Sequence, residues 1–485
     1  MSLVRKVFSD SGVSGVRITL QLLRGILIIP IITNLLGADS YGVWTTVLAF
    51  VGLLVSTGAI HLHGSLIRFG ANDDDGQAYS DTLFFVVVLA TVISTILVLL
   101  GHAIDLEFLF DDWEFDQTGL VVGSALLIFS NMLMRININF PRSRGRVKLY
   151  ELLTIFQTAV ETIALILIFF LGGSVVSGIF GLAAVGLGIN LLFVITIFAK
   201  FSPPRPRITN FEKYVRYGVP MVPNSLSKRI ITNADKYLIL YFISPTAVGI
   251  YAVAHSICSS LTNFSTVLRP TLYPSVSKAW DEGETEEIQN LYSLVFRYYS
   301  ILAIPAFFGI SYLAYEAVRL LSTPEIAEQG SILVPILAFA YLLRGFDKSL
   351  VYILTSAKKT TLTAKATMIS AVANVVLNVV LITRYGILGA AVATAISHAI
   401  VFGLIYTYST RELTIPIPIF TFLRAILAAI VMTAVLMLIP LDLTPGMSLL
   451  FYPPLGAAIY FSVLYGLGEF SREEIAGLMN EISRG

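Results

Sequence analysis

The chain has 485 residues, of which 56% are hydrophobic and only 13% are charged. Soluble domains carry about 25% charged residues, so this composition excludes a soluble globular protein and predicts an integral membrane protein. The net charge of +1 gives no reason to expect a polyanionic partner, and the single cysteine, Cys258, excludes an intramolecular disulfide. Because no GxxxxGK[ST] motif occurs, we expect no ATP hydrolysis by this chain.

Long apolar runs separated by short polar loops follow one another along the whole chain. A membrane-spanning helix needs roughly 20 apolar residues, and counting such runs predicts about 14 membrane helices. They lie near 14–36, 41–63, 81–103, 118–140, 150–172, 175–199, 214–242, 247–273, 292–316, 330–355, 361–383, 386–409, 419–440 and 447–467. The loops are too short for a separate soluble domain, so the predicted fold class is an all-α integral membrane protein.

The basic residues of the loops are concentrated on one side of the predicted membrane. The other side has few beyond Arg319 and Arg384, and it holds an acidic stretch over 105–116. The positive-inside rule therefore places both termini in the cytoplasm of a plasma-membrane protein. The basic loops contain Arg5, Lys6, Arg142, Arg144, Arg146, Lys148, Lys200, Arg205, Arg207, Lys213, Lys358, Lys359, Lys365 and Arg411.

Short patterns recur between the two halves of the chain. Gly-Val-Trp at 42–44 matches Gly-Ile-Tyr at 249–251, at an offset of 207 residues. The pattern at 178–184 recurs at 386–392, at an offset of 208. Such a repeat at nearly constant spacing indicates a duplicated transporter whose two halves rock around a central site.

The stretch 200–214, KFSPPRPRITNFEKY, is the best internal boundary, because its three prolines break helices. Each half has an even number of predicted helices, so the halves are parallel repeats related by an axis along the membrane normal. We therefore predict an N-lobe of helices 1–6 at 1–200, a cytoplasmic linker at 201–213, a C-lobe of helices 7–12 at 214–410, and helices 13 and 14 with a cytoplasmic tail at 411–485.

Several charged residues fall inside the predicted membrane helices. A charge at the bilayer centre costs about 2.5–3.5 kcal/mol on insertion scales, so these residues should face each other, backbone carbonyls or a water-filled cavity. Basic residues outnumber acidic ones, which predicts a cationic cavity for an anionic phosphate- or glycan-bearing substrate. The candidate binding residues are Arg24, Arg135, Arg229, Lys236, Arg269, Arg344 and Lys348.

Simpler roles remain open for most of these residues. Those near helix ends can extend to the membrane surface, and others can form structural pairs. Arg24 is the strongest candidate, since it lies about ten residues from either end of its helix and beyond such reach. The residues with simpler roles are Lys228, Arg229 and Arg269 at helix ends, Asp347 and Lys348 pairing with Arg344, and Asp235 pairing with Lys236 or Arg229.

Three intramembrane carboxylates, Glu161, Asp235 and Asp347, are candidates for ion coupling. A carboxylate in an apolar span can exchange a proton near neutral pH, although Glu161 can equally pair with an arginine and never titrate. Prolines within helices remove a backbone donor and bend or unwind the segment. The candidate hinge residues are Pro30, Pro220 and Pro223.

Three stretches resemble Wzx-type polysaccharide biosynthesis flippases of the multidrug/oligosaccharidyl-lipid/polysaccharide exporter superfamily. They are RGILIIPIITNLLGADSYGVWTTVLAFVGLLVSTG at 24–58, YGVPMVPNSLSKRIITNADKYLILYFISPTAVGIYAVA at 217–254 and RYGILGAAVATAIS at 384–397. The likeness covers essentially the whole chain. One departure is LLSTPEIAEQG at 320–330, where relatives often have a Gly-x-x-Tyr step.

The resemblance implies two six-helix lobes around a cavity that opens to one side of the membrane at a time. It implies translocation of a glycan linked to a polyprenyl phosphate or pyrophosphate. Coupling to H⁺ or Na⁺ is predicted separately, from the intramembrane carboxylates. Helices 13 and 14 would help to form a groove for the lipid tail. Basic cavity residues would hold the phosphate, and by position these are Arg24, Arg269 and Arg344.

Two other functions are alternatives to that of a flippase. A cation-coupled multidrug antiporter of the same superfamily would need a carboxylate-rich cavity, whereas this cavity is predicted to be basic. A membrane glycosyltransferase or polymerase would need a large external loop with catalytic carboxylates. We therefore expect a monomeric transporter and not an enzyme, without cofactor, metal site or nucleic-acid partner; its partners would be a lipid-linked glycan, membrane lipids and a coupling ion.

Overall fold

The computed structural model describes the backbone of residues 3–73, 75–103, 115–439, 441 and 443–470. Side chains are described for these residues except those at 3–14, 18, 72, 263–271 and 274. Most of the predicted acidic stretch, from 105 to 114, and the predicted tail from 471 onward lie outside the described residues.

The described residues form α-helices joined by short loops and 3₁₀ turns, with no strand among them. The α-helices are α1 (Leu3–Leu35), α2 (Gly37–Gly58), α3 (Leu62–Phe69), α4 (Gln77–Ala103), α5 (Gln117–Ser143), α6 (Val147–Phe170), α7 (Val175–Phe201), α8 (Phe211–Gly218), α9 (Val222–Phe242), α10 (Pro245–Ser259), α11 (Asn263–Glu282), α12 (Thr285–Tyr312), α13 (Ala314–Leu321), α14 (Pro324–Gly330), α15 (Val334–Ser356), α16 (Thr360–Glu412), α17 (Ile419–Met437) and α18 (Pro445–Gly466).

Within the described ranges, 11 helical segments are long and apolar enough to cross a membrane. The predicted all-α membrane fold is confirmed, but the predicted count of about 14 spans is not. The difference arises at three places. The charges at 228, 229, 235 and 236 make α9 more polar than a typical span, and a 3₁₀ turn at Ser260–Thr262 divides the predicted helix 247–273. Finally, α16 runs across two predicted helices, with a kink at Gly386 where φ is +61°.

The chain forms two compact units, unit 1 at Met1–Asn233 and unit 2 at Ala234–Gly485. In unit 1, α5 is the central helix; it packs against α2, α4, α6 and α7, and 67% of its most apolar stretch is buried. Gly186 allows α7 to lie close to Ser130 of α5, because a side-chain carbon at that position would lie 2.3 Å from the Ser130 hydroxyl oxygen. In unit 2, α15 is central and packs against α10, α11, α12 and α16.

A buried carboxylate, Asp81 near the start of α4, holds the predicted linker against unit 1. Asp81 is 0% exposed and accepts hydrogen bonds from the Arg207 backbone N–H at 2.7 Å, from Asn210 Nδ2 at 2.7 Å and from the Tyr214 hydroxyl at 3.1 Å. Gln77 Nε2 donates a fourth bond at 2.7 Å. These donors compensate the cost of removing a carboxylate from water.

Further hydrogen bonds join the same segments. The Ser80 hydroxyl donates to the Pro204 carbonyl oxygen at 2.6 Å, and the Ser65 hydroxyl donates to the Tyr214 carbonyl oxygen at 3.1 Å. Burial and the adjacent Asp81 carboxylate raise the pKa of Tyr214, so its hydroxyl remains a donor at neutral pH. The linker and α8 are therefore fixed parts of unit 1.

We expect Asp81→Ala to release the linker, because two linker donors, the Arg207 N–H and Asn210 Nδ2, and the Tyr214 hydroxyl of α8 lose an acceptor at about 1–3 kcal/mol for each buried group. Trypsin should then cleave the Arg207–Ile208 bond at least about tenfold faster, since cleavage requires local opening of the chain. Asp116→Ala is the control, because that carboxylate accepts one capping bond from Gly119 and should not affect the linker. An unchanged cleavage rate in Asp81→Ala would show that Asp81 does not hold the linker.

Candidate functional site

Two ion pairs join α1 to α6 in unit 1. Arg24 Nη1 lies 2.6 Å from Glu161 Oε2, and Arg17 Nε lies 2.5 Å from Glu151 Oε2. The side chains of Arg24 and Glu161 are 25% and 12% exposed, so this pair is largely removed from solvent. Arg24, a predicted phosphate-binding residue, thus contacts Glu161, a predicted coupling carboxylate. Pairing with an arginine is the alternative to ion coupling that the sequence left open for Glu161.

A cavity of about 270 Å³ lies beside this pair, with Arg135 of α5 in its wall. Gly52 of α2 also lines it, and a side-chain carbon at that position would lie 3.0 Å from Arg229 Nη1. The glycine therefore makes room for the Arg229 guanidinium. Gln157 lines the cavity and donates to Glu161 Oε1 at 2.7 Å, which connects the cavity to the ion pair.

Two arginines, called the cavity arginines, lie at this site: Arg135 is in the cavity wall, and Arg229 lies beside Gly52. In the described part of the chain, neither Arg135 nor Arg229 has a carboxylate within ion-pair distance, whereas Arg24 does. Both side chains are half-buried. An uncompensated charge in such a setting is costly, so the cavity favours an anion. The planar guanidinium provides paired N–H donors that match phosphate oxygens.

The sequence identified the two cavity arginines but not the residues that arrange them. Arg135 and Arg229 stand out as charges inside predicted membrane helices. Gly52 and Gln157 do not, because small and amide residues are common in membrane helices. The only sequence signal for Gln157 is its position one helical turn before Glu161.

In unit 2, the predicted coupling residue Asp235 is 1% exposed and belongs to a polar cluster. Asp235 Oδ2 accepts a hydrogen bond from the Tyr251 hydroxyl at 2.5 Å, and the same hydroxyl lies 3.2 Å from Thr394 Oγ1. Asp235 Oδ1 accepts the backbone N–H of Lys236 at 2.9 Å. Tyr251 is the aromatic residue of the repeated Gly-x-aromatic pattern, and this repeat is the feature of the sequence that singles it out.

A second cluster of polar side chains in unit 2 lies on α15 and on the neighbouring helices α10 and α16. Arg344 Nη1 lies 2.5 Å from Asp347 Oδ2, as the structural-pair interpretation predicted. The Tyr341 hydroxyl lies 2.5 Å from His255 Nε2, and His398 Nδ1 lies 3.2 Å from a backbone carbonyl oxygen of α15. All three of these aromatic side chains are buried. The two histidines are distant in sequence, so no motif indicates that they share a site.

The other predicted binding residues are less fully defined. Lys236 and Lys348 are half-buried side chains of unit 2. Arg269 belongs to α11, but its side chain lies outside the described residues. A phosphate-binding role for these three residues stays a prediction.

The three candidate hinge prolines occupy different settings. Pro30 lies inside α1, whereas Pro220 lies in the 3₁₀ turn Val219–Met221 and Pro223 lies in the first turn of α9. The helix predicted to begin at 214 is therefore interrupted at Pro220, where the backbone lacks a donor. A hinge function for these prolines stays a prediction.

An apolar groove of about 370 Å³ lies in unit 2 between α12, α17 and α18. Its lining contains no charged side chain and includes Pro305, Gly309, Met432, Tyr452 and Gly456. A side-chain carbon at Gly309 would meet no atom within 4 Å, so the absence of a side chain leaves the groove open. Such a groove can accept a hydrocarbon chain.

The fold and these sites define a multi-pass membrane protein of the transporter type. The chain belongs to the polysaccharide biosynthesis protein family, whose pattern matches residues 31–329. It is also similar to the probable flippase AglR of Haloferax volcanii, with 26% identity over 486 aligned residues that cover 96% of this chain and 97% of that protein. The family predicted from the sequence is confirmed.

Solved structures give the same fold. The lipid II flippase MurJ in an inward closed conformation is similar with a TM-score of 0.74 and 16% identity, over 94% of this chain and 98% of that one. An inward-facing multidrug resistance MATE family transporter of the MOP superfamily is similar with a TM-score of 0.64 and 17% identity, over 81% and 94%. At these identities the comparison establishes the fold alone.

We expect Arg24→Gln and Glu161→Gln each to lower the free energy of unfolding by about 2–3 kcal/mol, because each leaves an unpaired charge in a poorly solvated place. The double variant should cost less than the sum of the two. The measurement is denaturation of the purified protein in detergent. The control is the more exposed pair Lys359–Glu412, where Lys359→Gln should cost less than about 1 kcal/mol. Strictly additive effects at Arg24 and Glu161 would contradict the pairing.

Proposed function

We propose that this protein is a flippase that moves a polyprenyl phosphate- or pyrophosphate-linked oligosaccharide from the cytoplasmic to the outer leaflet of the cell membrane. The observation that carries the proposal is the unit 1 cavity, with Arg135 in its wall and Arg229 beside its Gly52, neither of them with a carboxylate within ion-pair distance in the described ranges. Membership of a polysaccharide biosynthesis family supports it. A phosphate and its sugars cannot cross hydrocarbon unaided, whereas a prenyl chain can remain in lipid.

In this proposal, the lipid-linked phosphate binds at the two cavity arginines and then recruits Arg24. A pyrophosphate link between lipid and glycan carries two negative charges against one on a carboxylate and accepts the same paired N–H donors, so it can displace Glu161 from Arg24. Gln157, which donates to Glu161 and also lines the cavity, keeps the released carboxylate in place. Substrate binding would thereby free Glu161 to take up an ion.

Ion coupling through Glu161 in unit 1 and Asp235 in unit 2 follows from the same chemistry. Asp235 is buried with a hydroxyl donor on one oxygen, which leaves a carboxylate that can bind H⁺ or Na⁺ after a small rearrangement. Asp347 has a different role in this proposal, because its ion pair with Arg344 neutralises a charge of unit 2.

The apolar groove between α12, α17 and α18 would hold the first part of the prenyl chain. Its lining is uncharged, and it lies in the unit that includes the predicted helices 13 and 14. The protein would act as a monomer by alternating access, with both termini in the cytoplasm. No covalent step is required, so the proposed protein is a transporter and not an enzyme.

We expect purified protein in liposomes to flip a fluorescent polyprenyl pyrophosphate oligosaccharide. Arg135→Gln/Arg229→Gln should slow flipping at least about tenfold, because a charge-assisted hydrogen bond contributes about 1.5–3 kcal/mol. The control Arg146→Gln/Lys148→Gln removes the same charge from exposed positions and should keep the wild-type rate. Equal flipping rates in both double variants would show that Arg135 and Arg229 do not form the phosphate site. Efflux of a cationic drug driven by a cation gradient, without lipid flipping, would favour the multidrug antiporter.

The role of the groove can be tested by filling it. Gly309→Leu places a side chain in the groove without a clash, so it should slow flipping of a long-chain polyprenyl substrate several-fold and affect a short-chain analogue less. Gly403→Leu is a matched control on α16, because that glycine also has no atom within 4 Å of an added carbon and does not line the groove. Equal effects on both chain lengths would exclude tail binding in the groove.

Coupling is tested in the same liposomes with imposed H⁺ or Na⁺ gradients. Glu161→Gln and Asp235→Asn should each reduce the dependence of flipping on one of these gradients. If a variant keeps the full wild-type dependence of flipping on the ion gradient, the substituted residue has no role in coupling. That result would not contradict the proposed phosphate site.

A further inference from the structure

A second basic surface of unit 1 is formed by the end of α3 and by α8. The space between them is a pocket of about 550 Å³. It holds three cationic side chains and one carboxylate, so its formal charge is positive. The pocket is lined by Arg68, Phe69, Thr209, Glu212, Lys213, Arg216 and Tyr217.

Aromatic rings position the cations of this pocket without neutralising them. The Arg68 guanidinium carbon lies 5.1 Å from the Tyr217 ring centre and 5.9 Å from that of Phe69. Lys213 Nζ lies 4.2 Å from the Phe69 ring centre. Among the residues whose side chains are described, Arg68, Lys213 and Arg216 have no carboxylate within ion-pair distance. Their charge is therefore available to a ligand.

The two walls of the pocket are held together by buried hydrogen bonds. The Ser65 hydroxyl of α3 donates to the Tyr214 carbonyl oxygen of α8, and the Tyr214 hydroxyl donates to Asp81. Phe69 also packs edge-on against the Tyr214 ring, with 5.6 Å between ring centres. The pocket is thus a fixed feature of unit 1, although its charged tips are exposed.

Exposed apolar side chains next to the pocket place it at a membrane surface. Ile208, Phe211 and Val219 are 72%, 37% and 46% exposed, and they lie before, within and after α8, whose basic residues are Lys213 and Arg216. A short segment with exposed apolar and basic side chains lies in the interface between water and lipid tails. The Arg and Lys side chains of such a segment extend to the depth of the lipid phosphates.

We propose that this pocket binds the phosphate headgroup of an acidic membrane lipid that is not itself transported. Arg68 and Lys213 would contact the phosphate, and the apolar side chains beside the pocket would contact the acyl region. Because α8 lies between α7 and α9 in unit 1, a bound lipid would fasten this part of unit 1 to the membrane surface.

The test is binding of dioctanoyl phosphatidylglycerol to the purified full-length protein in a neutral detergent, measured by the shift in melting temperature over a lipid titration. Wild type should bind this lipid more tightly than dioctanoyl phosphatidylcholine. Arg68→Gln/Lys213→Gln should weaken binding at least about tenfold, since each basic residue near an anionic lipid contributes about 1 kcal/mol. Arg68→Lys/Lys213→Arg should retain most of the affinity.

The control Arg146→Gln/Lys148→Gln removes two exposed charges elsewhere in unit 1 and should change the affinity less than about twofold. Equal affinity of wild type for the two lipids, or unchanged affinity of Arg68→Gln/Lys213→Gln, would overturn the proposal. Inorganic phosphate that competes at the same concentrations as the lipid would also overturn it and indicate a free-phosphate site. None of these outcomes depends on flipping, so they do not bear on the proposed function.

Discussion

The cost of placing charge in hydrocarbon is the constraint on which this structure depends. Both units meet it by pairing charges across or along their helices. Arg24 is matched by Glu161 in unit 1, and Arg344 is matched by Asp347 in unit 2. The two arginines of the unit 1 cavity depart from this pattern, since no described carboxylate is close enough to pair with them. A site that retains uncompensated positive charge at such cost is best explained by an anionic ligand.

The repeated halves of the sequence serve different chemistry in the two units. Trp44 and Tyr251 occupy matching positions, but Trp44 packs edge-on against Phe169 at 5.8 Å, whereas the Tyr251 hydroxyl donates to Asp235. Arg135 lies 209 residues before Arg344 of α15, close to the offset of the repeat, yet Arg135 lines a cavity whereas Arg344 pairs with Asp347. Within the predicted repeat, matching positions therefore carry different chemistry, a cationic site in unit 1 and a neutralised polar core in unit 2.

Hydropathy and motif order were sufficient to predict the all-helical membrane fold and the family, because these depend on runs of local sequence. The predicted helix at 214–242 was less accurate, since two prolines and four charges act against one continuous span. Asp81 could not be interpreted from sequence, because a carboxylate at a helix start resembles an interfacial residue until the linker packs on it from more than 120 positions away. The close approach of Gly52 to Arg229 could not be predicted for the same reason, since it depends on packing between segments that are distant in sequence.

The central claim is that the unit 1 cavity holds the phosphate of a lipid-linked glycan. The most direct measurement is an electron cryomicroscopy structure of the protein in lipid nanodiscs with a polyprenyl pyrophosphate oligosaccharide bound. The account predicts phosphate density within hydrogen-bond distance of the Arg135 and Arg229 guanidinium groups, with Glu161 displaced from Arg24. Phosphate density bound only elsewhere, with the Arg24–Glu161 pair intact and the cavity filled by water, would contradict it.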